Sequence, residues 1–246
     1  MRSPFDRRSK ENRPRPSPGE VVYAVGDIHG CSQLLVEALD KIDADVAARR
    51  PERATEVFIG DYIDRGPDSY GVIEALSQRR RSRASVLLGG NHEAVLRQFL
   101  AKPATLPAFL QLGGLTTLLS YGVKPSGRLD ASAGERLAAE FRAAMPASHR
   151  EVLANLQYSF TSGDYFFVHA GVRPRVSLAK QAVRDLLWIR DEFLLWEEGF
   201  EKFIVHGHTP VAQPDLLFNR ANIDTGAFAT GRLTVLAVDQ DGHQPL

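Results

Sequence analysis

Residues 21–30 read VVYAVGDIHG, an apolar and partly β-branched run that ends at a glycine. A short run of this kind predicts a buried β-strand. Gly26 lets the backbone turn sharply where the strand ends, so we expect Asp27 and His29 at the rim of a sheet. Open α/β folds bind their ligands at that rim. The stretch therefore predicts a central strand and a site at its carboxyl end.

The same pattern recurs three times further along the chain. Residues 59–66 read IGDYIDRG, residues 88–93 read LGGNHE and residues 205–209 read VHGHT. As in the first stretch, a residue that can bind a metal directly follows a glycine at the end of an apolar run. Four such segments in one chain favour a single polynuclear metal site over coincidence.

Strand-like and helical patterns alternate through the chain. Strands are predicted at residues 21–25, 57–59, 86–88, 165–168, 203–205 and 233–238. Each of the first three is followed by a helical pattern, with helices predicted over residues 34–42, 70–76 and 93–100. This alternation predicts an α/β fold whose first strands are mostly parallel.

The N-terminal residues 1–19 differ in composition from the rest. They are rich in arginine and proline, and Met1 and Phe5 are their only large apolar side chains. Such a segment buries too little surface to offset its ordering entropy, so we predict a disordered basic tail followed by one catalytic domain at residues 20–246. The tail either contacts a partner or nucleic acid, or is a solvated extension without a function.

Composition limits the partners and the compartment. Thirty Lys plus Arg balance thirty Asp plus Glu, so nucleic acid is not an expected partner of the domain. The single Cys31 excludes an internal disulfide and suits a reducing compartment. No apolar run approaches the roughly 18 residues of a transmembrane helix, and the N-terminus lacks the apolar core of a secretory signal. We therefore predict a cytoplasmic protein without a membrane partner, and make no prediction of its oligomeric state.

The candidate ligands combine carboxylates, imidazoles and one amide oxygen. They are Asp27, His29, Asp61, Asn91, His169 and His208. This mixture suits two divalent metals of borderline character, for which we predict Mn²⁺, with iron or Zn²⁺ as alternatives. Two metals, two carboxylates and a hydroxide held between the metals leave a net positive charge that attracts phosphate. Two such metals can clamp both the attacking and the leaving oxygen of a phosphoryl displacement.

The ordered motifs, with His169-Ala170-Gly171 and the IDTG of residues 223–226, resemble those of the calcineurin-like metallophosphoesterases. Within that superfamily they are most similar to the bacterial and phage branch of the phosphoprotein phosphatases. The resemblance implies a four-layer α/β/β/α fold in which helices flank two central mixed β-sheets. It also implies a serine/threonine-type protein phosphatase that hydrolyses phosphoserine, phosphothreonine or phosphotyrosine. Its substrate would be a phosphoprotein or a small phosphorylated molecule.

The resemblance assigns metal-binding roles position by position. Asp27 and His29 would bind the first metal and Asp61 would bridge both. The second metal would be completed by Asn91, His169 and His208. His206 stands before Gly207 rather than after it, so we expect it to support the site without binding metal.

The resemblance also implies the groups that act on substrate. His92 would donate a proton to the leaving oxygen, and Asp64 would orient that histidine. Arg65 would grip phosphate through its guanidinium. Arg190, within the LWIR of residues 187–190, is either a second phosphate ligand or an arginine on a helix surface.

Alternative functions remain open on the same motifs. Symmetrical dinucleoside tetraphosphate hydrolases share much of the pattern, but usually lack the second aspartate of the second motif and end the third in aspartate. Asp64 and Glu93 therefore favour the monoester phosphatase. Polyphosphate and RNA-cap substrates are further alternatives, and a non-catalytic binding module is disfavoured by the complete ligand set. Residues 103–127 are expected to wall the site.

Overall fold

The computed structural model describes residues 13–126 and 131–246. Within them, two five-stranded β-sheets pack face to face, and helices cover their outer sides. Each sheet contains both parallel and antiparallel pairs. The predicted four-layer fold with two mixed sheets is confirmed.

The strands and helices follow the chain in this order. The strands are β1 (Glu20–Val25), β2 (Arg53–Phe58), β3 (Ser85–Leu87), β4 (Ser159–Ser162), β5 (Tyr165–Val168), β6 (Phe203–His206), β7 (Asp215–Leu216), β8 (Arg220–Asn222), β9 (Val235–Asp239) and β10 (Gly242–Pro245). The helices are α1 (Ser32–Arg49), α2 (Ser69–Ser82), α3 (Asn91–Ala101), α4 (Leu106–Gln111), α5 (Gly114–Ser120), α6 (Ala131–Ala144), α7 (Ala147–Ala154), α8 (Val183–Trp188), α9 (Asp191–Leu194) and α10 (Ala227–Thr230).

The strand order places the motif-bearing strands of each sheet next to one another. The first sheet has the order β10-β9-β1-β2-β3, and β1, β2 and β3 run parallel. The second has the order β4-β5-β6-β8-β7, with β5, β6 and β8 parallel. Since parallel strands end at the same edge of their sheet, the loops that follow them meet there.

Alternation along β1 explains why the sheets stack. Val21, Tyr23 and Val25 face the helices, whereas Val22 and Ala24 face the second sheet. Side chains point to opposite faces of a strand in turn, so one continuous apolar strand can supply two cores. Complete burial of an aliphatic side chain stabilises a fold by about 1.5–3 kcal/mol. The apolar run of residues 21–25 is therefore typical of the central strand of a layered fold.

The predicted strands and early helices are all present, with shifted ends. Helix α3 begins at Asn91, two residues before the predicted start, which places Asn91 and His92 in its first turn. Strands β4, β7, β8 and β10 were not predicted. They are two to four residues long and contain polar residues that break the apolar pattern.

Residues 13–19 differ from the predicted disordered tail. The amide of Arg15 donates to the Asp164 carboxylate (3.0 Å), and the amide of Asp164 donates back to the Arg15 carbonyl (2.7 Å). The amide of Ser17 donates to Ser162 Oγ (2.9 Å). These bonds hold the segment along the turn between β4 and β5. Residues 1–12 lie outside the described residues.

In the described part of the chain, no helix combines the length and the apolar character that crossing a membrane requires.

Candidate metal centre

The predicted ligands converge where the carboxyl ends of the parallel strands of both sheets meet. Asp61 belongs to two groups of residues that could hold a metal. Within each group, the possible ligand atoms lie within 4.8 Å of one another. One group joins Asp61 with His29 and His92, and the other joins it with His169 and His208. The structure thus brings loops after β1, β2 and β3 together with loops after β5 and β6.

His29 is oriented by a backbone carbonyl. Its Nδ1 donates to the Ile63 carbonyl (2.9 Å), which leaves Nε2 facing Asp61 Oδ2 at 3.5 Å. His92 Nε2 is 3.7 Å from the same oxygen. A histidine whose Nδ1 is bound to a carbonyl presents the lone pair of Nε2, which is the form that binds metals.

Asp27 lies beside this group, with one oxygen unsatisfied. Its Oδ2 accepts a hydrogen bond from the amide of His208 (3.1 Å). Its Oδ1 is buried and has no hydrogen-bond partner among the described residues. Burial, followed by the neighbouring carboxylates of Asp224 and Asp61, raises the pKa of Asp27 well above its usual range. A buried, unsatisfied carboxylate oxygen beside other carboxylates is what a cation would stabilise.

The second group surrounds the side-chain oxygen of Asn91. His169 Nδ1 donates to the Ile59 carbonyl (3.0 Å), so its Nε2 lone pair faces Asn91 Oδ1 at 2.9 Å. His208 Nδ1 lies 2.8 Å from that oxygen and 3.2 Å from His169 Nε2. His208 Nε2 is buried and has no hydrogen-bond partner among the described residues. Acceptor atoms converge here without enough protons to join them, which a divalent cation would resolve.

Charge in the site depends on Asp61. Burial alone would raise the pKa of Asp61, but the imidazoles of His169, His92, His29 and His208 hold it well below its usual range. Burial lowers the pKa of His29 to about 4 and also lowers that of His169. At neutral pH Asp61 is therefore ionised, and His29 and His169 are neutral, as metal binding requires. These residues fit two divalent metals.

His92 is held by a buried carboxylate on its other side. Its Nδ1 is 2.7 Å from Asp64 Oδ2, and Thr117 Oγ1 donates to Asp64 Oδ1 (2.5 Å). Burial lowers the pKa of His92, but Asp61 and Asp64 outweigh it and raise the pKa. The predicted pairing of Asp64 with His92 is present, and α5, within the segment expected to wall the site, anchors it through Thr117.

Glu93 is fully buried behind the second and third motifs. Its carboxylate accepts hydrogen bonds from the amides of Gly90 (2.9 Å), Asp61 (3.0 Å) and Tyr62 (2.8 Å). Burial, followed by the charge of Asp61, raises the pKa of Glu93 to about 7. Glu93 therefore joins two candidate metal-binding loops through their backbone amides.

The backbone is strained around the candidate site. Among the described residues, seven that are not glycine have positive φ. Five of them lie at the site, namely His29, Asp61, Asp64, Arg65 and His208. Such conformations are uncommon for residues with a Cβ and persist where surrounding contacts impose them. Contacts such as those of Glu93 and Thr117 hold these loops in place.

Two arginines that are far apart in the sequence, Arg65 and Arg190, lie at the site. Arg65 Nη2 lies 3.3 Å from His92 Nε2. Arg190 precedes α9, and its guanidinium donates to Thr209 Oγ1 (3.0 Å) and to the His208 carbonyl (3.4 Å). Arg190 therefore lies next to the second group and not on a helix surface remote from the site.

His206 lies outside both groups. Its ring packs edge-on against Phe193 with centroids 4.8 Å apart, and its Nδ1 donates to the Gly207 carbonyl (3.1 Å). Burial lowers its pKa to about 3. His206 thus fills the outer face of the second sheet behind the loop that carries His208.

Sequence reasoning missed the contributions of Thr117, Glu93 and Asp224. Asp224 is buried near Asp27 and Asp61, and the amide of Gly226 donates to it (2.9 Å). The IDTG motif and the Glu93 of the third motif were available signals. Thr117 offered none, because its contact joins residues 53 positions apart.

Comparison with known proteins gives a consistent family assignment. Residues 21–237 match the family described as calcineurin-like phosphoesterase. A protein of Halalkalibacterium halodurans named bis(5'-nucleosyl)-tetraphosphatase PrpE [asymmetrical] is 28% identical over 233 residues, covering 86% of this chain and 87% of its own. A protein of the same name from Anoxybacillus flavithermus is 27% identical over 230 residues, covering 86% and 88%. The solved structure of a candidate diadenosine tetraphosphatase superposes with a TM-score of 0.62 at 20% identity, covering 94% and 95%.

These relatives correct the predicted activity. The expectation of a serine/threonine protein phosphatase is wrong, since the relatives that align end to end are named as nucleosyl-tetraphosphatases. The expectation depended on Asp64 and Glu93. Both are buried, and they bind His92 and backbone amides respectively, so both side chains serve the metal-binding loops.

Proposed function

The chain belongs to the calcineurin-like phosphoesterase family, and we propose that within it the protein hydrolyses dinucleoside tetraphosphates. The observation that carries the proposal is the end-to-end likeness to the PrpE proteins, which covers 86% of the chain. Because those names specify asymmetrical cleavage, we expect a nucleoside monophosphate and a nucleoside triphosphate as products. The symmetrical cut, which yields two diphosphates, is the alternative.

We propose that the candidate groups hold two divalent metals. Asp27, His29 and Asp61 would hold one, and Asp61 together with Asn91, His169 and His208 would hold the other. Bound metals would supply positive charge at the phosphate oxygens and activate water for attack. The mixture of imidazole, carboxylate and amide ligands supports Mn²⁺ over Mg²⁺.

Arg65 and Arg190 would bind the phosphate chain. A tetraphosphate bridge carries several negative charges, and guanidinium groups bind phosphate through paired hydrogen bonds. Arg65 lies beside His92, whereas Arg190 lies beside His208. Because the two arginines lie beside different histidines, they would bind different phosphates of the chain, one on each side of the phosphate that is attacked.

His92 would protonate the oxygen of the leaving nucleotide. The bond from its Nδ1 to Asp64 orients the ring and leaves Nε2 toward the site. Arg65 at Nε2 would exchange its contact with the imidazole for a contact with phosphate when substrate binds. A nucleotide phosphate leaves more readily than an alkoxide, so this proton contributes less here than in a monoester phosphatase.

The proposal is tested by comparing substrates on one preparation of Mn²⁺-loaded protein. Diadenosine tetraphosphate, a phosphoserine peptide and inorganic tripolyphosphate are supplied separately, and products are resolved by anion-exchange chromatography. We expect diadenosine tetraphosphate to have the highest kcat/KM, to yield AMP and ATP, and to resist hydrolysis when EDTA is in excess. A higher kcat/KM for the peptide or for tripolyphosphate would contradict the proposal, and two ADP would assign the symmetrical cut.

A further inference from the structure

Two exposed aromatic side chains flank the candidate metal centre. Trp188, the last residue of α8, is 41% exposed and contacts the ring of His208 edge-on, with centroids 6.2 Å apart. Phe228, on α10, is 43% exposed and contacts the ring of His29 edge-on at 5.6 Å. Each aromatic therefore lies beside a different one of the two candidate metal groups. An exposed aromatic ring beside the candidate centre offers a face on which a ligand ring can stack.

The two aromatics differ in what covers their faces. The guanidinium carbon of Arg65 lies 4.9 Å from the centroid of the Phe228 ring, as in a cation–π contact. Phe228 therefore supports an arginine proposed to bind phosphate. Trp188 instead borders a cavity of about 410 Å³, which is within the size range of small-molecule sites.

The cavity beside Trp188 has balanced charge. Arg173, Arg184 and Arg190 line it together with Asp185, Asp191 and Glu192. Arg173 is already paired with Asp185 (2.7 and 2.9 Å) and with Glu192. A balanced lining disfavours a site for a bare phosphate. It suits a neutral aromatic ring with hydroxyl and amine donors, because the carboxylate of Asp191, which Arg173 does not bind, can accept such a hydrogen bond.

We propose that Trp188 and this cavity form the nucleoside subsite, in which a nucleobase stacks on the indole. The proposal rests on the proposed hydrolysis of dinucleoside tetraphosphates. Arg190 belongs to the cavity and also contacts Thr209 and His208, so it links the subsite to the candidate centre. A nucleoside in the cavity would place its 5'-phosphate beside Arg190. Stacking on an indole tolerates different bases, so the subsite would select nucleosides without strong preference among them.

Binding of ADP and of pyrophosphate to the Mn²⁺-loaded protein tests the subsite by calorimetry. The two probes share a diphosphate, and only ADP carries a base. For Trp188→Ala we expect the Kd of ADP to rise on the order of 10-fold, as for loss of a base-stacking aromatic, while the Kd of pyrophosphate stays the same. Trp188→Phe should restore most of the ADP affinity.

Phe228→Ala is the matched control, because it also removes an exposed aromatic beside the candidate centre. Since Phe228 contacts Arg65, this variant should weaken ADP and pyrophosphate by the same factor. An unchanged Kd of ADP in Trp188→Ala, or an equal loss for both probes in that variant and no restoration in Trp188→Phe, would overturn the subsite.

Calorimetry also separates this inference from the proposed function, because it needs no turnover. If the wild-type protein bound ADP through Trp188 but did not hydrolyse diadenosine tetraphosphate, the subsite would stand and the proposed substrate would be wrong. If the wild-type protein hydrolysed diadenosine tetraphosphate and Trp188→Ala bound ADP normally, the proposed substrate would stand and the subsite would be wrong.

Discussion

The loops after β1, β2 and β3 are held very differently from the segment between β5 and β6. We name them the metal loops (residues 26–31, 59–68 and 88–92) and the outer segment (residues 170–202). In the metal loops, the amides of Ile28 and His29 donate to the Asp61 carbonyl (3.1 and 2.8 Å), and Glu93 holds three further amides. In the outer segment, the α-helices α8 and α9 are only six and four residues long, and Trp188 and Leu195 are exposed.

The difference indicates a division of labour. Metal binding requires ligand atoms in fixed positions, which buried hydrogen bonds and imposed backbone conformations provide. Substrate choice depends on surfaces that can vary without disturbing those positions. We infer that the metal loops determine the chemistry and that the outer segment determines the substrate.

The largest expected effect is that of Asp61→Asn in the metal loops. Asp61 is the only residue shared by the two candidate groups among the described residues, so its loss should empty both. We expect kcat for diadenosine tetraphosphate to fall by about 10³-fold or more, since metal charge contributes several kcal/mol to the transition state. Metal content by mass spectrometry should fall in parallel. Full metal content with a small change in kcat would show that Asp61 does not bind the two metals.

His92→Asn should separate proton transfer from metal binding. We expect kcat to fall by about 10²-fold, at the low end of the range for general acids, because the leaving nucleotide needs little protonation. The variant should keep both metals. His92 Nε2 lies almost as close to Asp61 as His29 Nε2 does, so loss of metal would identify His92 as a ligand.

The metal-binding motifs could be predicted from sequence because each is local. Asp27 and His29 follow one strand within four residues, and the glycine before Asp27 marks the turn. The four-layer fold came from resemblance. The support given by Thr117 to Asp64 could not be predicted, since it joins α5 to a distant loop. Trp188 was not predicted, because its cavity forms only where the short helices α8 and α9 come together with Arg173.

The substrate was predicted wrongly for a related reason. Asp64 and Glu93 were interpreted as substrate markers, yet both side chains are turned into the protein. Motif residues report the shared chemistry of a family, whereas substrate selection depends on the segments between motifs.

Glu93→Gln should weaken the metal loops without touching substrate. Both carboxylate oxygens of Glu93 accept hydrogen bonds from backbone amides. A glutamine side chain has only one acceptor oxygen, so the metal loops should lose order. We expect metal affinity to fall by about 10- to 100-fold, as for other residues that support ligands. Titration of apoprotein with Mn²⁺ measures this, with the exposed Glu197→Gln as control. Equal affinities in the two variants would show that Glu93 does not organise the loops.

Arg190→Ala should show the smallest effect, confined to substrate. Loss of a charged hydrogen bond to phosphate should raise KM for diadenosine tetraphosphate by about 10-fold and leave metal content unchanged. Lys180→Ala removes an exposed cation from the same segment and should leave KM unchanged. If Arg190→Ala lost metal, the outer segment would belong to the metal centre and the division of labour would be wrong.

The central claim is that two groups sharing Asp61 form one dinuclear centre, and electron paramagnetic resonance of the Mn²⁺-loaded wild-type protein tests it most directly. Metal content is determined on the same sample. We predict two Mn²⁺ per chain and a spectrum of two spin-coupled ions, and loss of that coupled spectrum in Asp61→Asn. A single Mn²⁺ per chain, or two ions without spin coupling, would contradict the account.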